Sequence, residues 1–117
     1  MQYIEEPLES KTADYARALK SLQEELEAVS SYQQRFVTAT DSELKDIVGH
    51  NRDEEIEHCC MLIEWLRRNM TGWDERLRTY LFTSAPLTEV ESAEGGKEGK
   101  DRKDSSTEGD LSIRAMR

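Results

Sequence analysis

The sequence predicts an all-α protein: an antiparallel pair of long helices followed by a shorter third helix. Apolar residues recur in steps of three and four through two long segments, which is the spacing of an amphipathic helix. A connection of a few residues, 38–41, joins the two segments. Helices that are joined by so short a turn lie beside each other in antiparallel orientation.

The first helix is expected to begin near Pro7 or Ser10 and to end at about Val37. Proline is tolerated in the first turn of a helix, and no later glycine or proline interrupts the segment. The apolar stripe of this helix consists of Tyr15, Leu19, Leu22, Leu26, Val29 and Phe36.

The second helix is expected from about Ser42 to Asn69. Two starts are compatible with the sequence, because Thr40 with Glu43 forms a capping box and Asp41 is a good N-cap by itself. Either start leaves only a short turn after the first helix.

Beyond a break at Gly72, residues 73–82 are expected to form the third helix, with the apolar side chains on one side. Pro86 closes the folded part, which gives one helical domain over residues 1–86. Residues 87–110 are rich in Glu, Gly, Ser, Lys and Asp. Because they contain so few bulky apolar residues, they are expected to form a disordered acidic linker.

Apolar character returns at the end of the chain, where residues 111–117 read Leu-Ser-Ile-Arg-Ala-Met-Arg. This alternation is typical of a short peptide that docks in an extended form into a groove on a partner. The alternative is a frayed chain end in which the apolar residues occur by chance.

Charge and composition exclude several classes of protein. The formal charge is −9 over 117 residues, which argues against nucleic acid as a partner, because phosphate binding needs clustered Lys and Arg. No apolar run approaches the ~20 residues of a membrane span, and the acidic start lacks the apolar core of a secretion signal. The cysteines, Cys59 and Cys60, are neighbours that cannot form a structural disulfide. We therefore expect a cytoplasmic protein with packing cysteines.

The second helix carries metal-type ligands within its apolar stripe. The stripe consists of Leu44, Val48, Asn51, Glu55, His58, Leu62 and Leu66. At about 100° per residue, Glu55 and His58 lie within roughly 60° of each other. A carboxylate and an imidazole in an apolar seam are costly unless a metal ion neutralises them, or unless they pair with each other and fix the register of a helical dimer.

The first helix offers one further carboxylate, Glu25, beside Leu26 and Val29 on the flank of its stripe. Di-iron carboxylate bundles take a Glu from each of two helices and a Glu-x-x-His from each of the other two. One chain therefore holds half of the ligands and half of the bundle, and a two-fold homodimer supplies the missing half of both. Carboxylates with a single imidazole favour iron or manganese over structural zinc.

Other interpretations of these residues stay open on the pattern alone. Glu25 is an ordinary surface residue if it is solvated like its acidic neighbours. Tyr32, two turns further on the same flank, either supports the metal ligands from behind or packs in the core. For the whole chain, the alternatives are a non-catalytic helical dimer with a partner-docking tail and a metal buffer without turnover.

Several blocks of the sequence closely resemble the encapsulated ferritins, in the same order along the chain, over about residues 20–87. The matching blocks are residues 24–29, 50–55, Glu57-His58, 64–69 and 78–83. The Leu-Ser-Ile-Arg of the tail is similar to the peptides that load cargo into encapsulin nanocompartments. The resemblance implies half of a ferritin-like four-helix bundle, completed by homodimerisation. It also implies a ferroxidase whose di-iron (Fe2+/Fe3+) centre forms between two subunits.

The resemblance also implies roles for single residues. The ferroxidase ligands are matched by Glu25, Glu55 and His58, an outer metal-attracting site by Glu24 and Glu27, and a tyrosine close to the centre by Tyr32. Ser31 stands where family members carry a tryptophan, a departure that concerns the outer site. Cys59 and Cys60 replace small residues and have no role in the family.

At the level of assembly, the resemblance implies a ring-shaped decamer of such dimers. The ring is expected to lie inside an encapsulin shell that stores the iron, because it has no closed cavity of its own. Leu111, Ile113 and Met116 are the expected contacts of the tail with the shell protein.

Overall fold

The computed structural model describes residues 2–97, with side chains from residue 9 to residue 93. Four helices occupy this part of the chain: α1 (Gln2–Thr38), α2 (Ser42–Asn69), α3 (Trp73–Tyr80) and α4 (Leu87–Lys97). None of residues 2–97 forms a β-strand, which confirms the all-α class. No helix in this range combines the length and the apolar character that a membrane crossing requires. The chain divides after Met70 into two compact units.

The first unit is an antiparallel hairpin of α1 and α2. In the N-terminal half of α1, the Tyr15 hydroxyl donates a hydrogen bond of 3.0 Å to the carbonyl of Asn69, the last residue of α2. Near the end of α1, the Phe36 carbonyl accepts a hydrogen bond of 2.6 Å from Lys45 Nζ, which belongs to the first turns of α2. These contacts join opposite ends of the two helices, as the short connection predicts.

The core of the hairpin is a thin line of side chains between the helices. It consists of Ala18, Leu22, Val48, Cys59 and Leu66. Large apolar side chains of the same helices stay exposed, among them Leu26 at 53% and Ile56 at 44%. Two helices have no second layer to cover these side chains, so the packing of the hairpin is that of half a four-helix bundle.

The ends of the long helices agree only partly with the prediction. Asp41 is the N-cap of α2, since its Oδ2 accepts a hydrogen bond of 2.9 Å from the Leu44 N–H, and this is one of the two predicted starts. In contrast, α1 begins at Gln2, before the predicted start near Pro7 or Ser10. Proline has no backbone N–H, so one hydrogen bond of α1 is missing at Pro7. The helix nevertheless continues on the N-terminal side of this residue.

The second unit begins with a sharp turn. Gly72 has a φ of 106°, in the left-handed region that suits glycine, and α3 follows directly. The helix ends at Tyr80, two residues before the predicted end, and Phe82 has a φ of 65°. The predicted third helix is therefore present with a shorter C-terminal end.

Helix α4 lies where the sequence analysis predicts a linker without regular structure. The Pro86 carbonyl accepts hydrogen bonds from the N–H groups of Glu89 and Val90, at 2.9 and 3.0 Å, and so starts the helix. Glu89 in the first turn is favourable at the positive end of the helix dipole. The few apolar residues of α4 do not gather on one face, so helical periodicity does not reveal it. The remaining predicted linker, residues 98–110, and the predicted docking tail, residues 111–117, lie outside the described residues.

Candidate metal centre

Three side chains of the hairpin meet between its helices: Glu25 of α1 with Glu55 and His58 of α2. Each offers one atom of a metal-ligand type, and the three atoms lie within 4.8 Å of one another. His58 Nδ1 lies 3.3 Å from Glu55 Oε1 and 3.5 Å from Glu25 Oε1. Among the side chains that the structure describes, those of residues 9–93, this is the one group of three or more His, Cys, Asp or Glu with such spacing.

Helix geometry and helix packing each contribute to this cluster. Glu55 and His58 are three residues apart, so their side chains emerge from the same face of α2, about one turn apart. Glu25 reaches them across the hairpin, so its place in the cluster depends on the separation and register of α1 and α2. The structure therefore brings together the three residues that the sequence analysis singles out, while their role as ligands stays a prediction.

The cluster is half open to solvent. The side-chain exposure is 40% for His58, 28% for Glu25 and 23% for Glu55. The apolar seam of α2 is predicted to be covered by a second copy, and in a single chain it is partly exposed because the hairpin has no second layer. The open side leaves room for groups from another molecule.

The protonation of the cluster reflects an excess of negative charge. The hydrogen bond with Glu55, followed by partial burial, raises the pKa of Glu25 above its usual value of 4.5. For His58, partial burial favours the neutral ring. The hydrogen bond with Glu55 and the charge of Glu25 outweigh that effect and raise the pKa of His58 above its usual 6.5. Both groups therefore give up a proton less readily than usual, and a metal cation competes with that proton.

The donor atoms fit a divalent cation of the iron type. Carboxylate oxygens together with one imidazole nitrogen suit iron or manganese, whereas structural zinc sites prefer more sulfur or nitrogen. A cation between Glu25 and Glu55 also offsets the repulsion between the two carboxylates, which is a smaller cause of the raised pKa of Glu25 than the hydrogen bond with Glu55 and burial. Three donors from one chain do not complete a coordination sphere, so further ligands are needed on the open side.

Glu24 and Glu27, the residues predicted for an outer site, are not part of this cluster. Both are exposed on α1. They lie about 100° and 160° around the helix axis from Glu25, so in one chain they face elsewhere. Tyr32 is half-buried, and the Arg35 guanidinium lies 5.1 Å from the centre of its ring. The roles of these three residues stay predictions.

Cys59 directly follows His58 on α2, so it adjoins the cluster. It is 5% exposed, in keeping with a packing role, whereas Cys60 is exposed. Burial, followed by the negative charge of Glu25, raises the pKa of the Cys59 thiol above 9.0, so the thiol is protonated at neutral pH. The sequence indicates that Cys59 lies near the cluster, because Cys59 follows Glu55 by four residues and so lies one turn further along α2.

Known proteins match the chain along most of its length. The family model described as EncFtn-like matches residues 1–84. A protein of Thermotoga maritima named Ferritin-like protein is 56% identical over 110 residues, which cover 93% of this chain and 90% of the relative. A protein of Rhodospirillum rubrum named Encapsulated ferritin-like protein is 53% identical over 94 residues, which cover 80% of this chain and 67% of the relative.

A solved structure is similar as well. The crystal structure of protein ne0167 from Nitrosomonas europaea matches with a TM-score of 0.63 and 54% sequence identity. The match covers 65% of this chain and 84% of that one. The Thermotoga match, which covers 93% of this chain, continues well beyond residue 84 and so includes sequence that follows the helical hairpin.

Proposed function

The chain belongs to the EncFtn-like family, and on that basis we propose that it is a ferroxidase, which oxidises Fe(II) to Fe(III) at a di-iron centre between two copies. The observation that carries the proposal is the cluster of Glu25, Glu55 and His58 on the open face of a half-bundle. The chain has ferritin-like relatives, which make iron the cation of choice for a ligand set that also suits manganese.

The number of ligands argues for two copies. A two-fold axis beside the cluster doubles its three donors to four carboxylates and two imidazoles, the set that ferritin-like di-iron bundles use. By helix geometry, Leu44 and Ile47 lie on the same side of α2 as the cluster, and they are 49% and 52% exposed. If a second hairpin packs on this face, the same contact covers these apolar side chains and completes the ligand set.

Each residue of the cluster has a definite task in this proposal. Glu25 and Glu55 supply carboxylate oxygens that hold the two iron ions close together. His58 supplies Nδ1, the ring atom that faces both carboxylates. Nδ1 would bind iron as an unprotonated nitrogen, which leaves the remaining ring proton on Nε2. Fe(II) binds the deprotonated Glu25 carboxylate and an unprotonated His58 nitrogen, so it competes with protons for both groups.

Two bound Fe(II) ions supply two electrons in one place. With two protons, these electrons reduce dioxygen to hydrogen peroxide, or hydrogen peroxide to two molecules of water, and two Fe(III) ions result. The protein contributes the paired carboxylates, which favour the higher charge of Fe(III). Fe(III) is the product, which the centre releases for storage.

The surroundings of the centre have supporting roles in the proposal. The net charge of −9 attracts cations to the surface of the protein. Glu24 and Glu27 are exposed carboxylates that collect iron in the assembled protein, and Tyr32 supports the ligands of the centre. Ser31, beside Tyr32 on α1, takes the place of a bulkier residue at that outer site.

For the assembly, we propose a ring-shaped decamer of such dimers, held inside an encapsulin shell that stores the iron. The name of the Rhodospirillum relative supports an encapsulated protein. The match with the Thermotoga relative extends past the hairpin and so includes much of the sequence between the hairpin and the tail. In this proposal Leu111, Ile113 and Met116 dock on the inner surface of the shell, within the cytoplasm.

The cluster is tested by single substitutions. We expect Glu55→Ala and His58→Ala each to lower the rate of Fe(II) oxidation in air by about a hundredfold or more, because each removes one ligand residue from both halves of the two-fold centre. The rate is followed as the growth of near-ultraviolet absorbance. Matched controls are Glu54→Ala and His50→Ala, which alter exposed residues of the same helix.

Three outcomes of this experiment are decisive. Loss of oxidation in the two cluster variants, with the controls at the wild-type rate, supports the proposal. Unchanged oxidation in both cluster variants contradicts it. Bound iron without oxidation in the wild-type protein identifies a metal buffer instead.

The tail is tested separately. Deletion of residues 111–117 is expected to leave the oxidation rate within twofold of wild type, because the ligands all lie in α1 and α2. The same deletion is expected to prevent co-purification with a co-expressed shell protein. A truncated chain that still enters the shell refutes the docking role of the tail without affecting the ferroxidase proposal.

A further inference from the structure

Gly49 is an unusual residue for the interior of a long helix. Glycine is less favourable than alanine at such a position, yet Gly49 is buried well inside α2. Its backbone is helical and its φ is not positive, so conformational freedom does not explain it. The explanation is found in the space around it.

The aromatic ring of Phe36 occupies the place of a side chain at Gly49. A Cβ atom on Gly49 would lie 2.9 Å from Cδ1 and 3.0 Å from Cε1 of Phe36, closer than such atoms approach. The ring, which belongs to α1, thus lies directly against the backbone of α2. Any larger residue at position 49 must displace either the ring or the whole helix.

The ring itself is held in place by two cations. Lys45 Nζ and Arg52 Cζ, both of α2, each lie 4.5 Å from the centre of the Phe36 ring. Lys45 Nζ also donates to the Phe36 carbonyl, and Arg52 Nη1 donates to Gln33 Oε1 over 2.9 Å. Since the ring is enclosed by these two cations and by the backbone of α2, it has little room to turn aside. A side chain at Gly49 is therefore expected to push the ring and α1 together away from α2.

We propose that Gly49 and Phe36 are positioning residues of the metal centre. Their contact sets the separation of α1 and α2 at the turn end of the hairpin, and through it the distance of Glu25 from Glu55 and His58. This inference rests on the proposed function in one respect, which is that the cluster binds a metal cation.

The size of the effect follows from the geometry of the hairpin. Ordinary contact is 3.4–4 Å, so a Cβ on Gly49 separates the helices there by about 0.5–1 Å. If the fully buried Leu66 acts as the pivot, Gly49 lies about 25 Å and His58 about 12 Å from it at ~1.5 Å per residue. About half of the displacement then reaches the cluster, which exceeds the tolerance of roughly 0.2 Å on metal–ligand distances.

The test measures Co(II) binding by the full-length protein, because the visible absorption of Co(II) reports the geometry of its ligands as well as its affinity. The Gly49→Ala variant is expected to bind Co(II) about tenfold more weakly than wild type, with a changed absorption spectrum and an unchanged helical circular dichroism signal. Phe36→Leu in the same background frees space for the added Cβ. It is expected to restore the affinity to within about threefold of wild type and to restore the spectrum.

Two controls separate this inference from the proposed function. His50→Ala alters the exposed neighbour of Gly49 and is expected to bind like wild type. Glu55→Ala removes a ligand and is expected to abolish binding. If the wild-type protein binds no more Co(II) than Glu55→Ala does, the metal centre itself is refuted.

If binding depends on Glu55 but Gly49→Ala binds like wild type, only the positioning role is refuted. Failure of Phe36→Leu to restore the affinity contradicts it as well. Loss of the helical signal in Gly49→Ala also overturns the inference. The positioning role requires that the hairpin stays intact and that its helices move by less than about 1 Å.

Discussion

Glu55 governs the protonation of both of its neighbours in the cluster. Its hydrogen bond is the largest cause of the raised pKa of Glu25, and it is the largest of the effects that raise the pKa of His58. A raised pKa means that the folded chain binds more protons than the unfolded chain at a pH above the usual value. The resulting stability is present below that value and is lost as the pH rises through the raised pKa.

The metal-free protein is therefore expected to become less stable as the pH rises. The loss of stability begins above pH 4.5 for Glu25 and above pH 6.5 for His58, because these are the usual pKa values of the two groups. We expect the midpoint temperature of thermal unfolding to decrease as the pH is raised from about 6.5 to 8. The midpoint is followed by circular dichroism in the presence of a chelator. Glu55→Gln removes the main cause of both shifts and should flatten this dependence, whereas Glu54→Gln should not. A midpoint that rises over this range contradicts the described cluster.

At the scale of the helices, α2 is the element on which the first unit depends. Leu66 is fully buried, and no other large side chain within residues 9–93 is buried to that extent. Truncation of this side chain leaves a cavity between α1 and α2 that the neighbouring residues fill only in part.

Leu66→Ala is expected to lower the free energy of unfolding by about 2–5 kcal/mol. The matched change Leu87→Ala removes the same atoms at a position that is 60% exposed, and it is expected to alter stability by at most about 0.5 kcal/mol. Urea unfolding of the metal-free protein, followed by circular dichroism, measures both. Similar losses for the two variants argue against the core as described.

The helices also indicate which features follow from sequence alone. Periodicity and the cap at Asp41 predict α2, because apolar spacing and side-chain capping are local properties. Periodicity does not predict α4, whose apolar residues do not share a face. Its start comes instead from the backbone hydrogen bonds of Pro86.

In the candidate site, too, one part follows from local sequence and another part depends on how the helices pack. Glu55 and His58 are paired by spacing within one helix, so the sequence predicts that they meet. The approach of Glu25 depends on how far apart two helices lie, which no local pattern encodes. The contact between Phe36 and Gly49 is part of that information, and its sequence signal is a glycine in the middle of a helix.

At the scale of the molecule, the hairpin of an EncFtn-like protein is half of a ferritin-like bundle. Its exposed apolar side chains and its incomplete ligand set lie on helices that a second copy can cover. If one contact completes both, metal binding and dimer formation are thermodynamically linked, so each strengthens the other.

Native mass spectrometry of the full-length protein, titrated with Fe(II) without oxygen, tests this central claim most directly. The expected result is assemblies with an even number of chains that carry one iron per chain, with metal uptake lost in Glu55→Ala. A monomer that binds iron by itself, or dimers that take up no iron, would contradict a centre shared between two copies.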